Sequence, residues 1–263
     1  MQEHIFVIPV YKDSPYLEDC IVSLKNQHSS SEIIVTTATP SPYIENLVKK
    51  YNLPYFINQN PPSIAGDWNF GFAMANARFV TIAHQDDIYE RGFSAQVLKA
   101  MKSKSDCLIC FTDYVEMANN VVFKNSLNLV VKRILLLPFY LSATIKNTFI
   151  RKAVLSIGNP ICCPSVTINK ELISNFGFSN RYSCALDWQA WLALTDKKGG
   201  FTYINKKLLR HRIHKESETT SQIENGQRLA EEKEILQRIW GKNIGDFISK
   251  LYKFSQKGNR TKV

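Results

Sequence analysis

Two adjacent carboxylates, Asp86 and Asp87, close the stretch "VTIAHQDD". The apolar residues before them read as a buried strand, so both acids stand at its tip. Like charges side by side repel unless a cation or hydrogen-bond donors compensate them. A hard divalent cation shared with substrate phosphates is one such partner. A helix cap followed by a first-turn acid fits the same two residues. A third carboxylate, Asp187, stands in the first turn of the helical stretch "LDWQAWLAL", where it complements the helix dipole. His211 and His214 lie three apart in the polar segment "RHRIHKESETT", which reads as a loop.

The elements that carry these residues alternate. "HIFVIP" is a short apolar strand. "DSPYLEDCIVSLKNQ" follows as a helix, with Ser14 as its cap and Pro15 in its first turn. "EIIVT" is a second strand. "SPYIENLVKKY" is a second helix, capped by Ser41, with Ile44, Leu47, Val48 and Tyr51 on one face. "PYFI", "GDWNFGFAMANA" and "FVTIA" continue as strand, helix and strand, and "FSAQVLKAMKS" and "DCLICFTDY" add another pair. This alternation predicts an α/β protein with a mostly parallel sheet covered by helices on both sides. In such sheets ligands bind beyond the carboxyl ends of the strands, which is where Asp86 and Asp87 fall. From Gln222 the pattern turns helical again, giving a C-terminal helical extension over residues 221–263 after a main domain of residues 1–220.

The totals bound the function. The 263 residues fit one large domain with an extension, and 44% hydrophobic content supports a substantial core. The net charge of +10 points to an anionic partner such as a nucleotide phosphate, a nucleic acid or an acidic membrane surface. No helix-turn-helix, RRM or zinc-finger signature accompanies the charge, which argues against nucleic acid. Residues 5–10 are too short for a signal core and follow Glu3, and residues 134–141, interrupted by Pro138, are too short to span a bilayer. The expected location is cytoplasmic. Cys107 and Cys110 form a CxxC without a second pair at zinc-ribbon spacing, and positions three apart on a strand face opposite sides, so buried reduced thiols are expected.

The charge is unevenly spread. Residues 117–170 contain no Asp or Glu, and "VVKRILLLPFYL" in their middle is basic at one end and apolar at the other. An interfacial surface element fits this segment, and so does a core helix with a basic cap. Residues 241–263 carry six Lys or Arg against Asp246 alone.

In order and spacing these motifs resemble the family 2 glycosyltransferases of the GT-A (Rossmann-like) fold, over roughly residues 4–220. "IPVYKDSPYLEDCIVSLKNQ" is similar to the family's opening strand and helix, and the resemblance assigns Pro9, Val10 and Tyr11 to the nucleotide pocket. "VTIAHQDD" resembles the Asp-x-Asp-Asp strand end. That implies Asp86 as the ligand of a Mn²⁺ or Mg²⁺ cofactor, with Gln85 and Asp87 beside the donor. "LDWQAW" resembles the helix of the catalytic base, which puts that role on Asp187. "RIHKESET" resembles an Arg-x-His-x-x-Ser-x-Thr segment, with His214 as a further metal ligand. Thr36 and Thr37 stand where many members have the acids that hold the nucleobase. Asp67 and Asn69 of "AGDWN" stand where many have Ala-Arg-Asn, and His84 replaces the first Asp of the metal motif. All four of Thr36, Thr37, Asp67 and Asn69 are expected in the donor pocket.

The resemblance implies an inverting, metal-dependent transferase moving a sugar from a nucleotide donor, a UDP-sugar first, to a glycan or lipid-linked acceptor in surface polysaccharide synthesis. The acid-free segment and the basic tail extend this to a peripheral position on the inner face of the plasma membrane, against an anionic lipid surface. Three other readings are weaker. A sugar nucleotidyltransferase would show a Gly-rich phosphate loop, and "PVYKDSPY" has no glycine. A non-catalytic basic surface-binding protein leaves Asp86, Asp187 and His214 without a shared purpose. A zinc protein built on His211, His214 and the cysteines needs scattered ligands to converge.

Overall fold

The computed structural model describes residues 2–173, 175–214 and 226–256. One ten-stranded sheet runs through the molecule in the order β3-β2-β1-β4-β9-β6-β10-β5, with β7 (Val121–Phe123) paired to β6 and β8 (Thr144–Ile145) to β10. The opening strands are β1 (Gln2–Val10), β2 (Glu32–Thr37), β3 (Tyr55–Ile57) and β4 (Ala77–Ile82). They pair in parallel, with β1 between β2 and β4. Helices α1 (Leu17–Lys25), α2 (Pro42–Tyr51) and α3 (Ile64–Met74) make the crossovers. Beyond β4 the pairing is mixed, because β9 (Val166–Asn169) enters antiparallel between β4 and β6 (Cys107–Ala118).

Alternation along β1 divides the core into two layers. Ile5 and Val7 face a cluster with Phe72, Trp188 and Trp191, while Phe6, Ile8 and Val10 face one with Leu17, Ile21 and Phe93. The α/β sheet with helices on both faces, expected from the strand and helix periods, is therefore present. The approach of α3 to the sheet is close: a Cβ at Gly71 would meet Val7 Cγ1 at 2.5 Å and Thr36 Oγ1 at 3.0 Å.

Several local expectations need correction. Ser14 does not cap α1; the N-cap is Tyr16, with no side-chain bond, and Ser14 turns toward Asp86 instead. Cys107 and Cys110 do not face opposite sides. An irregularity in the β6–β10 register between Cys107 and Ile109 adds one residue, so both thiols join the same buried cluster. All six cysteines are free, and all but the half-buried Cys184 are buried. Residues 210–212 of the segment expected as a polar loop belong to β10 (Gly200–Arg212), because β5 (Ile88–Tyr89) and β6 both pair with it, while residues 213–214 are in neither helix nor strand. Residues 215–219 of the resembling segment lie outside the described residues.

The residues of "VVKRILLLPFYL" do not form a core helix with a basic cap. They lie in α5 (Leu127–Leu135) and the short α6 (Leu137–Leu141), of which only Leu129 and Phe139, with Leu136 between the two helices, are buried. Leu127, Val130, Ile134, Leu137 and Leu141 form an exposed stripe, and Leu141 is 92% exposed.

Two further helices end the described residues. They are α9 (Gln227–Trp240), which follows α7 (Thr148–Leu155) and α8 (Leu186–Leu194), and α10 (Lys242–Gln256). Ile235 and Leu236 of α9 belong to the same buried cluster as Trp188 and Trp191 of α8. The helical extension therefore leans on the core of the sheet domain. No helix among the described residues is long and apolar enough to cross a membrane.

Candidate active site

At the carboxyl end of β4 the two neighbouring acids part. Asp87 turns inward, 1% exposed, and accepts from the Arg212 N–H at 2.9 Å and from His211 Nδ1 at 3.0 Å. Asp86 stays half-buried at the cleft. Its Oδ1 accepts from Ser14 Oγ at 2.6 Å and its Oδ2 lies 3.2 Å from His214 Nε2. The repulsion expected between like charges is thus relieved by separate donor sets from β10 and from the loop after β1. Burial pushes the Asp86 carboxyl up. The hydrogen bonds from His214 and Ser14, with the nearby imidazoles, outweigh it and hold the group below its ordinary range. Burial also works against protonation of His211, and the Asp87 charge and hydrogen bond overcome it, so His211 titrates above its usual value.

Arg212 fixes this corner. Its Nε donates to the Asp86 carbonyl at 2.9 Å, its Nη2 donates to Asp19 at 3.0 Å, and its guanidinium lies 4.2 Å over the Tyr16 ring. Tyr16 in turn packs on His214 at 4.8 Å. Burial lowers the His84 pKa to about 4, so its imidazole is neutral, and its ring packs on Trp68 at 5.0 Å.

A metal ion at this corner would find two convergent protein ligands, the Asp86 carboxylate and His214. No group of three or more His, Cys, Asp or Glu among the described residues makes an all-protein site. One or two protein ligands completed by substrate phosphates and water is the usual arrangement for Mg²⁺ at such sites, so the residues fit.

Asp187 sits in the first turn of α8. Its Oδ2 accepts from Asn159 Nδ2 at 2.8 Å and its Oδ1 from the Trp188 N–H at 2.7 Å. Burial raises its pKa, and the Arg228 charge, the Trp188 N–H, Lys132 and Asn159 offset only part of the rise. An aromatic chain joins α8 to the tip of β4: His84 to Trp68 at 5.0 Å, Trp68 to Phe178 at 4.9 Å, and Phe178 to Trp191 at 6.2 Å. The charges of both Asp87 and Asp187 help push up the buried thiols of Cys162 and Cys163, after burial itself.

The other expected donor-pocket residues divide. Tyr11 is exposed at the end of β1, and Gln85 brackets its backbone, accepting from the N–H at 3.1 Å and donating to the carbonyl at 3.2 Å. Pro9 is half-buried and Val10 is buried in the core. Thr36 and Thr37 are buried, at 1% and 0% exposure. Thr36 lies beneath Gly71, and Thr37 Oγ1 accepts from the Thr39 N–H. Thr39, which the sequence did not single out, takes the rim instead and accepts from the Lys12 N–H at 2.7 Å. Asp67 is buried on Asn58 at 2.8 Å. Both ends of the Asn69 amide are spent on the Phe178 backbone, at 2.7 and 2.8 Å. The side-chain bonds of Asp67, Asn69 and Asp87 are thus made to other parts of the protein.

A profile described as Glycosyl transferase family 2 matches residues 5–176. The chain belongs to this glycosyltransferase family. Among curated proteins none matches its sequence significantly. Three solved glycosyltransferase structures share the fold of this family 2 member. The S. aureus TarS 1–349 structure has a TM-score of 0.63 at 13% identity, covering 98% of this chain and 73% of that one. The same TarS piece in complex with UDP-GlcNAc gives 0.61 at 14% identity, covering 97% and 72%. The mannosyltransferase PcManGT from Pyrobaculum calidifontis, in complex with GDP-Man and Mn²⁺, gives 0.62 at 13% identity, covering 99% and 75%. The family 2 enzyme thus has the GT-A architecture, with Asp86 and Asp187 on the elements that the resemblance assigned them.

Proposed function

We propose that the enzyme is an inverting transferase that moves a sugar from a nucleotide-sugar donor, a UDP-sugar first, to a hydroxyl of a glycan or lipid-linked acceptor in surface polysaccharide synthesis. The observation that carries this reading is Asp187, a carboxyl whose affinity for a proton is raised by burial while two donors fix its orientation. Such a group suits proton abstraction from a weakly acidic hydroxyl. Support for the donor class comes from the UDP-GlcNAc and GDP-Man complexes of proteins with this fold.

In the reaction, the acceptor oxygen forms a bond to the anomeric carbon and its proton passes to Asp187. The bond from that carbon to the diphosphate breaks, and its electron pair leaves with the phosphate. Pro9, Tyr11 and Gln85 border the nucleotide side. Asp86, oriented by Ser14, and His214 would hold a Mn²⁺ or Mg²⁺ ion, which supplies positive charge where the diphosphate gains negative charge. One displacement inverts the anomeric centre. NMR of the product should therefore show a glycosidic bond of opposite configuration to the donor; a retained configuration would contradict the single displacement.

The reading includes a place of work on an anionic membrane face. The stripe of Leu127, Val130, Ile134, Leu137 and Leu141 is exposed, and α10, packed against α5, adds exposed Ile244, Phe247 and Leu251 with Lys242 and Lys250. An apolar stripe bordered by cations suits an interfacial bilayer position, whereas a second copy would set cation against cation. Each cation near anionic lipid contributes about 1 kcal/mol, weakened by salt. The tail residues Lys257, Arg260 and Lys262, expected to share in this, lie outside the described residues. Liposome co-sedimentation should require anionic lipid, fall with added salt and weaken in the double variant Ile134→Ser, Leu141→Ser. Equal recovery with neutral and anionic liposomes at low salt would remove the membrane role and leave the catalytic one standing.

A further inference from the structure

We propose that Glu231, on the C-terminal helix α9, is a positioning residue that holds Asp187 in its working place. The proposal rests on the transferase reading above for the role of Asp187. Its geometric basis is independent of that reading.

One carboxylate gathers four donors from the turn just before the base helix. Glu231 Oε1 accepts from the Ser183 N–H and the Ser183 hydroxyl, both at 3.0 Å. Its Oε2 accepts from the Cys184 N–H at 2.8 Å and the Ala185 N–H at 3.0 Å. Residues 184 and 185 lead directly into Leu186 and Asp187. N–H groups at a helix start have no intrahelical acceptor, and negative charge there is favoured by the helix dipole. Burial pushes the Glu231 carboxyl up, but the backbone donors prevail and hold it below its ordinary range, so it is ionised at neutral pH.

The contact is part of a row. Gln227, Glu231, Glu234 and Arg238 follow at helical spacing along one side of α9. Gln227 donates to Ser183 Oγ at 2.7 Å, Glu234 accepts from Arg181 at 2.7 Å and from the Tyr182 hydroxyl at 2.9 Å, and Arg238 donates to Tyr182 at 3.2 Å. The described residues of 175–185 form no helix or strand of their own. Asn69 and the core hold this segment at Phe178, and the α9 row fixes its last residues, 181–185, before α8. The other end of α9 is fastened separately, by Trp240 Nε1 donating to the Ser156 carbonyl at 2.6 Å. Neither the family match over residues 5–176 nor the sequence resemblance reaches α9.

The charged and titratable groups that face Asp187 are Arg228 of α9, Lys132 of α5, and the thiols of Cys162 and Cys163 before β9. Glu231→Gln leaves all of these in place and keeps the side-chain shape. It removes the charge that grips the turn. A loosened turn admits water to Asp187, which should lower the pKa that burial raises. Misplacement of a base by even a fraction of an ångström reduces turnover, with 1 Å worth about 10²-fold.

The test is made on the full chain with three readouts. The Asp187 carboxyl is titrated by ¹³C NMR without substrate, its resonance identified by loss in Asp187→Asn. In Glu231→Gln it should titrate at lower pH than in wild type, and Glu231→Asp should recover part of the difference. The amides of residues 183–185 should exchange hydrogen at least roughly tenfold faster, with β1 amides unchanged. With a donor in hand, kcat should fall about tenfold or more while donor KM stays within about twofold. Ser183→Ala, which removes one of the four donors and touches no core residue, should move the Asp187 titration in the same direction by less. That arm decides the matter should Glu231→Gln not fold. An unchanged Asp187 titration in a folded Glu231→Gln or Ser183→Ala protein overturns the proposal, as does an unchanged kcat. If wild type transfers no sugar at all, the transferase reading fails, and the titration still decides whether Glu231 positions Asp187.

Discussion

Asp187→Asn is expected to lower turnover by about 10²–10⁴-fold while leaving donor affinity near wild type. The amide keeps the volume and can still accept from the Trp188 N–H, but it cannot take a proton. In the proposed mechanism the donor binds on the Asp86 side, so equilibrium binding of the nucleotide should not register the change. The pH dependence follows from burial, which raises the Asp187 pKa against the offsetting charge of Arg228. The base works ionised, so kcat falls as pH drops through that raised value. The acid limb should lie above the ~4 of an ordinary carboxylate. Single-turnover rates across pH 4–8 in wild type and variant check both statements. An Asp187→Asn enzyme that keeps the wild-type rate and acid limb would assign the base elsewhere.

Asp86→Asn is expected to cost about 10²–10³-fold in rate, the usual loss for one preorganised electrostatic contact to a leaving group. The fold should survive. Ser14 can still donate to the amide oxygen, and Asp87, Arg212 and His211 keep their own bonds. The lowered pKa of Asp86 means that the wild-type carboxylate is charged throughout the neutral range. Mn²⁺ affinity, read by electron paramagnetic resonance in the presence of nucleoside diphosphate, should fall with the rate. Wild type in excess EDTA should lose activity and recover it on adding Mn²⁺. Undiminished turnover in EDTA, or a fully active Asp86→Asn, would remove the metal from the account.

What the sequence made legible was local. Strand and helix periods located β1 to β4 and the helices between them, and Ser41 capped α2 as its position implied. Asp86 and Asp187 stood out because a carboxylate at a strand tip or a helix start has few neighbours to explain it. The rest depended on contacts between distant segments. Ser14 looked like a helix cap, but a hydroxyl donates to whichever acceptor is nearest, and here that is Asp86, 72 residues on. Thr36 and Thr37 matched an aligned position, yet the close passage of α3 at Gly71 buries the first, and the second turns back on its own loop. Asp87 has the same sequence context as Asp86, and only the run of β10 beside it decides that it turns inward. Glu231 gave no signal at all, since a glutamate on an amphipathic helix is ordinary until the turn it grips is known. The apolar run of α5 and α6 fitted a core or an interface equally well, because periodicity reports a face and not what covers it.

The most direct test of the account is nucleotide release from a panel of UDP-, GDP- and other nucleotide sugars with Mn²⁺, measured in wild type and in Asp187→Asn. The account predicts that one donor class is turned over by wild type, and that Asp187→Asn binds the same donor but turns it over at least about 10²-fold more slowly. Failure of wild type to bind or turn over any donor, or equal turnover by Asp187→Asn, would contradict it.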